Sequence, residues 1–105
     1  MTDHIIVMVT VPSKLEAEKI SAIILDEGLC ACVNILPAVK SLFHWEGKID
    51  NAEEILLVIK TKSTSFSELE KLIKKNHSYK VPEIIAIPII LGSKDYLDWI
   101  DSTVK

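Results

Sequence analysis

The chain has 105 residues, 49% of them hydrophobic and 26% charged, with a net charge of −3. That fits one globular domain spanning residues 1–105, in which folding buries roughly 65% of the unfolded chain's surface, so a core forms without disulfide or metal staples. Its lysines are scattered rather than gathered into a basic stripe, so nucleic acid is not an expected partner; the longest apolar run, Ile84 to Leu91, is interrupted by Pro88 and is too short to span a bilayer, so neither is a membrane.

Two hydrophobic periods alternate along the chain. IIVMVTV, residues 5–11, is a β-branched run of the kind found in strands buried on both faces, and Pro12 ends it. Ser13 followed by Glu16 forms the sequence pattern of a capping box, and Ala17, Ile20 and Ile24 recur at helical spacing until Gly28. From Ala31 to Trp45 the chain reads as extended, with Pro37 in the middle. After a turn at Glu46-Gly47-Lys48, EILLVIKT (54–61) reads as a second long strand, giving a hairpin. Ser65 and Glu68 repeat the capping pattern ahead of a stripe of Phe66, Leu69 and Ile73, broken at Asn76 to Ser78. EIIAIPIIL (83–91) reads as a fourth strand, and Gly92-Ser93 caps a last short helix carrying Tyr96, Leu97, Trp99 and Ile100.

The order is β-α-β-β-α-β plus a C-terminal helix: an α+β, ferredoxin-like fold. Right-handed crossovers predict strand order 4-1-3-2, which puts the two strands containing Pro37 and Pro88 on the edges, where proline is tolerated. With two helices covering one sheet face, the other should be polar at alternate positions, yet Ile55 to Ile59 and Ile84 to Ile87 are apolar on both parities. A second copy of the chain is the most economical cover. Trp45 sits near the hairpin tip, where burying roughly 200 Å² of indole stabilises by up to about 5 kcal/mol, so Phe43 and Trp45 either anchor an assembly or staple the hairpin to its own subunit.

Several of these stretches together carry a family resemblance: CVNILP (32–37), SLFHWEGKI (41–49), EILLVIKT (54–61), VPEII (81–85) and YLDW (96–99). Over nearly its whole length the chain resembles the CutA, or divalent-cation-tolerance, family. The resemblance implies a PII-like homotrimer, with Phe43, Trp45 and Trp99 at the trimer interface. It also implies a role in tolerance of copper or another divalent metal ion, and no catalytic reaction, so an enzyme is not expected and no residue is assigned a catalytic role. Family copper ligands lie at a cysteine late in the first strand and at paired histidines before the motif His-Pro-Tyr-x-x-Pro-Glu. This chain has Val9 and Asn76 at two of those positions, retains His77, and continues Ser78-Tyr79-Lys80-Val81-Pro82-Glu83.

The remaining chemistry-bearing residues have two readings each. Cys30 and Cys32, two apart on an extended segment, present soft ligands to one side or simply pack as apolar thiols; Cys32 is the better ligand candidate. They are too close to bridge easily, which with Asp3 and His4 in place of a secretory start suggests the cytoplasm. His77 either caps the end of the second helix or, with Tyr79, Lys80 and Glu83, lines an intersubunit cleft for a metal ion or small ligand, with His77, Cys32 and Glu83 as candidate metal ligands. His44 alternates with Phe43 and Trp45 and so faces the opposite side of the hairpin, while Glu46, Asp50, Glu53 and Glu54 form an acidic tip. Two functions follow: a trimer that binds a metal ion or small effector between subunits, or a structural trimer that holds a partner protein, with metal incidental.

Overall fold

The structure, a computed structural model, describes residues 3–105. Its elements are β1 (His4–Val11), α1 (Lys14–Asp26), β2 (Cys32–Trp45), β3 (Lys48–Lys62), α2 (Phe66–Asn76), β4 (Ile84–Pro88) and α3 (Lys94–Thr103). The sheet runs β2-β3-β1-β4, all neighbours antiparallel, so the expected order holds and both strands containing proline lie on the edges.

Pairing partners share a face, so the register divides the sheet. Val7, Val9 and Val11 of β1 and Leu57 and Ile59 of β3 point one way and are fully buried with Ala17, Ile20 and Ile24 of α1 and Leu69 and Ile73 of α2. Ile6, Met8, Leu56 and Val58 point the other way, in register with Leu36, Ile85 and Ile87. On that second face α3 packs through a small cluster of Ala31, Ile100 and Val104 with Leu97 against it. Leu36, Ile85 and Ile87 are left exposed.

The hairpin of β2 and β3 leaves the body of the sheet. β1 pairs with β3 only over Ile55–Lys62, so Lys48–Glu54 and its partners in β2 project as a two-stranded arm, and the molecule measures 44 × 26 × 23 Å. The turn is tighter than the sequence suggested: Lys48 pairs with Trp45, and Glu46 and Gly47 alone turn the chain, both with positive φ. That is the dihedral pattern whose twist matches a two-residue hairpin.

Four local expectations are corrected. β4 ends at Pro88 rather than at Leu91, although the Ile89 N–H still donates to the His4 carbonyl at 3.0 Å. The second long strand begins at Lys48, not Glu54, because the arm is paired along its whole length. Ser65 makes no side-chain cap to α2; it closes a 3-10 turn at Ser63–Ser65 that feeds directly into the helix with helical dihedrals. Ser93 likewise stands at the N-cap of α3 without a side-chain cap bond. By contrast, Ser13 caps α1 as expected, its Oγ accepting from the Glu16 N–H at 3.2 Å.

Thr61 tests the packed face. Its hydroxyl is fully buried and donates to the Leu29 carbonyl at 2.7 Å, tying the loop after α1 to β3. Thr61→Val keeps the shape and leaves that carbonyl unpaired, so the unfolding free energy should drop by about 1–3 kcal/mol; an unchanged denaturant midpoint would contradict this role.

Candidate functional site

A β-bulge builds the site. Between Leu36 and Val39 the register of β2 against β3 slips: Leu36 faces Leu56 and Val39 faces Glu54, so Pro37 and Ala38 together oppose Ile55. Ala38 takes the left-handed conformation, φ 62°. The slip exchanges the faces of everything beyond it. Val39, Ser41, Phe43 and Trp45 consequently point the same way as Glu54, Ala52, Asp50 and Lys48. His44, paired with Ile49, lies on the opposite face of the arm from Phe43 and Trp45, as expected.

The segment following α2 folds back across that face. Ser41, Phe43, Trp45, Asp50 and Glu54 from the arm meet Tyr79, Lys80, Val81 and Glu83 around a cleft of about 810 Å³, with Thr10 of β1 also in its wall. At its base the Tyr79 hydroxyl donates to Glu54 Oε2 at 2.8 Å. Glu54 is 7% exposed, so it is a buried carboxylate rather than part of a solvated acidic tip. Burial, then the hydrogen bond to Glu54 and the charges of Glu54 and Glu16, push the Tyr79 phenol up to about 12, so it stays a neutral donor at physiological pH.

His77 holds the returning segment in place. Its side chain is fully buried, and both ring nitrogens are engaged: Nε2 donates to the Thr10 carbonyl at 2.8 Å and Nδ1 accepts the Tyr79 N–H at 3.0 Å. This tautomer follows from the partners, a carbonyl at one nitrogen and an N–H at the other. The Glu16 carboxylate stands 3.4 Å from Nδ1 and accepts the Ser78 N–H at 3.0 Å. The ring therefore does not cap α2; Asn76 does, its side-chain amide donating to the Leu72 carbonyl at 2.9 Å.

The candidate metal ligands are not brought together within one chain. His77 has no nitrogen lone pair to spare, and Glu83 is exposed on the cleft wall. Cys32 pairs with Lys60, six residues along β3 from Glu54 on the side away from the hairpin turn, about 20 Å from it at ~3.3 Å per residue. Its sulfur is half-buried 4.0 Å from the Lys60 ammonium, near the Tyr96 hydroxyl on α3. Among the described residues no group of three His, Cys, Asp or Glu side chains is placed to hold a metal ion. Cys30 is buried in the core, and that burial, with a smaller effect from Cys32, raises its thiol to about 12. The two aromatic residues of the arm remain half-exposed, Trp45 at 48%, and Trp99 on α3 stacks at a tilt 5.4 Å from Tyr96 with its outer side open.

Fold and site together define a ferredoxin-like α+β protein with a projecting hairpin and a mixed aromatic and acidic cleft at the root of that arm. Residues 5–103 match the model of the CutA1 divalent ion tolerance protein family, and the chain belongs to that family. The divalent-cation tolerance protein CutA of Archaeoglobus fulgidus is 49% identical over 102 residues, covering 97% of this chain and 99% of that one. Its solved structure, described as a periplasmic divalent cation tolerance protein, superposes with a TM-score of 0.94. The structures of Cut A1 from Thermus thermophilus (39% identity, TM-score 0.95, 97% of this chain and 99% of that one) and CutA1 from Oryza sativa (41%, 0.96, 99% and 95%) superpose equally well. No helix among the described residues is long and apolar enough to cross a membrane.

One titration and one labelling experiment test these placements. Folding raises the Tyr79 pKa, so the protonated phenol is favoured in the native state; this contribution is complete below the unfolded value near 10 and is lost as pH rises through about 12. Ultraviolet titration should therefore find Tyr79 still protonated at pH 10.5, with Tyr96 also raised by burial and by Cys32, and Glu54→Gln should shift the Tyr79 ionisation downward. Ordinary titration of both tyrosines near 10 would refute the buried pair. Cys30 should resist alkylation by iodoacetamide at pH 8 until the protein is unfolded, and rapid native labelling at Cys30 would contradict its placement.

Proposed function

We propose that the chain works as a PII-like homotrimer, contributes to tolerance of copper or another divalent metal ion, and binds a metal ion or small ligand in intersubunit clefts beside the hairpin arms. The observation that carries this reading is the cleft itself, in which Glu54, Tyr79, Lys80 and Glu83 converge beneath Phe43 and Trp45. Its volume of about 810 Å³ is within the range that takes a metabolite-sized molecule. The relatives' description as divalent-cation tolerance proteins supports the link to metal ions.

The trimer is supported by the apolar outer face of the sheet and by the half-exposed Phe43, Trp45 and Trp99, which need a cover that one chain does not supply. A metal ion held by His77, Cys32 and Glu83 would need rearranged side chains or donors from a neighbouring copy, because one chain brings no three donors together. The structural reading, a trimer that holds a partner protein, rests on the same exposed aromatics. The two cysteines, neither in a disulfide, support a cytoplasmic location, whereas the Archaeoglobus relative is described as periplasmic.

Calorimetric titration of metal-free protein with copper(II) and zinc(II) separates the readings. Saturable sub-micromolar binding weakened in Glu83→Ala supports a metal at the cleft; weak binding untouched by that change leaves the small-ligand reading. Trp45→Ala should lower the assembly's thermal stability. Covering the exposed half of one indole contributes about 2–3 kcal/mol per subunit, and an oligomer as heat-resistant as the parent would count against the anchor.

A further inference from the structure

We propose that Glu54 is the recognition centre of the cleft, and that the cleft takes a small organic cation, an ammonium or guanidinium compound, held by that carboxylate in a cleft whose wall further along the arm carries the rings of Phe43 and Trp45. This inference rests on the cleft reading given above and names the class of its ligand.

Glu54 is more than nine-tenths buried, yet only one of its oxygens is engaged: Oε2 accepts from the Tyr79 hydroxyl. Among the described residues no lysine, arginine or histidine nitrogen lies within 4.0 Å of it, and no hydrogen bond reaches its other oxygen. Its remaining exposure is into the cleft, whose wall it forms. A buried carboxylate without a cationic partner is costly, and a neutral phenol supplies one hydrogen bond without cancelling the charge. A ligand bearing an N–H cation supplies what is missing.

The surroundings decide which kind of cation. A bare divalent ion needs several oxygen, nitrogen or sulfur donors at short range, and no such group of three is assembled among the described residues. An organic cation needs one carboxylate and apolar or aromatic cover, because its charge is spread over N–H groups and attracted to ring faces. The bulge in β2 provides that cover by turning Phe43 and Trp45 to the Glu54 side of the arm. With Asp50 and Glu83 in the same lining, three carboxylates face one amine, Lys80, and one imidazole, His44, so an anionic ligand meets an excess of carboxylates.

The test uses the full-length assembled protein at pH 7.5. Spermidine and arginine methyl ester are the cationic probes, 2-oxoglutarate and copper(II) the alternatives, read by calorimetry and by fluorescence of the two tryptophans. At least one cationic probe should bind saturably and change the Trp45 emission, with Trp45→Phe removing the signal. Glu54→Gln should weaken binding at least tenfold, Tyr79→Phe less, with circular dichroism and sedimentation mass unchanged. Saturable binding of 2-oxoglutarate or copper(II) with Trp45 quenching, and none by the cations, overturns the cation assignment while keeping the cleft. Binding by no probe overturns both. Loss of assembly in Glu54→Gln, with no cation bound by the parent, would show that a residue of a second copy already pairs the carboxylate, and also overturns the proposal. Should Glu54→Gln fail to fold, the same titrations on Tyr79→Phe decide, and unaltered cation affinity there counts against it.

Discussion

The structure depends on a sheet that is apolar on both faces. β1 and β3 form its centre, and their side chains alternate between two oily surfaces: Val7, Val9, Leu57 and Ile59 under α1 and α2, and Ile6, Met8, Leu56 and Val58 on the other side. The helices cover the first completely. The second receives the short α3 near Ala31, Ile100 and Val104 and, toward the arm, Tyr79 against Glu54, leaving Leu36, Ile85 and Ile87 in contact with water. Leaving such a surface open costs about 25 cal/mol for each Å² of apolar area, which is the physical support for the proposed trimer. The projecting arm and its half-exposed Phe43 and Trp45 add to that demand, since a two-stranded ribbon has little stability of its own in water.

The cleft grows from an irregularity in this otherwise regular sheet. Pro37 cannot donate to the ladder and Ala38 adopts a left-handed backbone, and together they slip the register where the arm leaves the body. Phe43 and Trp45 thereby come to the Glu54 side. The segment after α2, fixed by His77 between Thr10 and Tyr79, closes over the same side and delivers the Tyr79 hydroxyl to Glu54. Core, bulge and histidine latch thus converge on one carboxylate.

Much of the fold is legible in sequence because it is written in local patterns. The β-branched runs, the Ser13 cap, the glycine-bearing turn and the two edge prolines each act through neighbours within a few residues, and together they imply the element order and strand order that the structure has. The site is less legible because it is made of long-range pairings. Tyr79, Lys80 and Glu83 share a cleft wall, but Glu54 reads in sequence as one more acid at a solvated tip; its burial depends on a tyrosine 25 residues away. A faint signal exists, since Glu54 opens the apolar run of β3 and stands opposite a strand containing Pro37. His77 reads as either a helix cap or a ligand, and only the three-dimensional contacts reveal that both of its nitrogens are already engaged. Cys32 and His77 look able to cooperate because sequence does not show that Cys32 lies at the far end of β3 from the cleft.

The central claim is that copies of this chain cover the exposed sheet face and the arm. Multi-angle light scattering on dilute protein measures it most directly: the account predicts a mass close to three times the 11.7 kDa of one chain, persisting at micromolar concentration. A mass of 11.7 kDa, with the face of Leu36, Ile85 and Ile87 left in water, would contradict it.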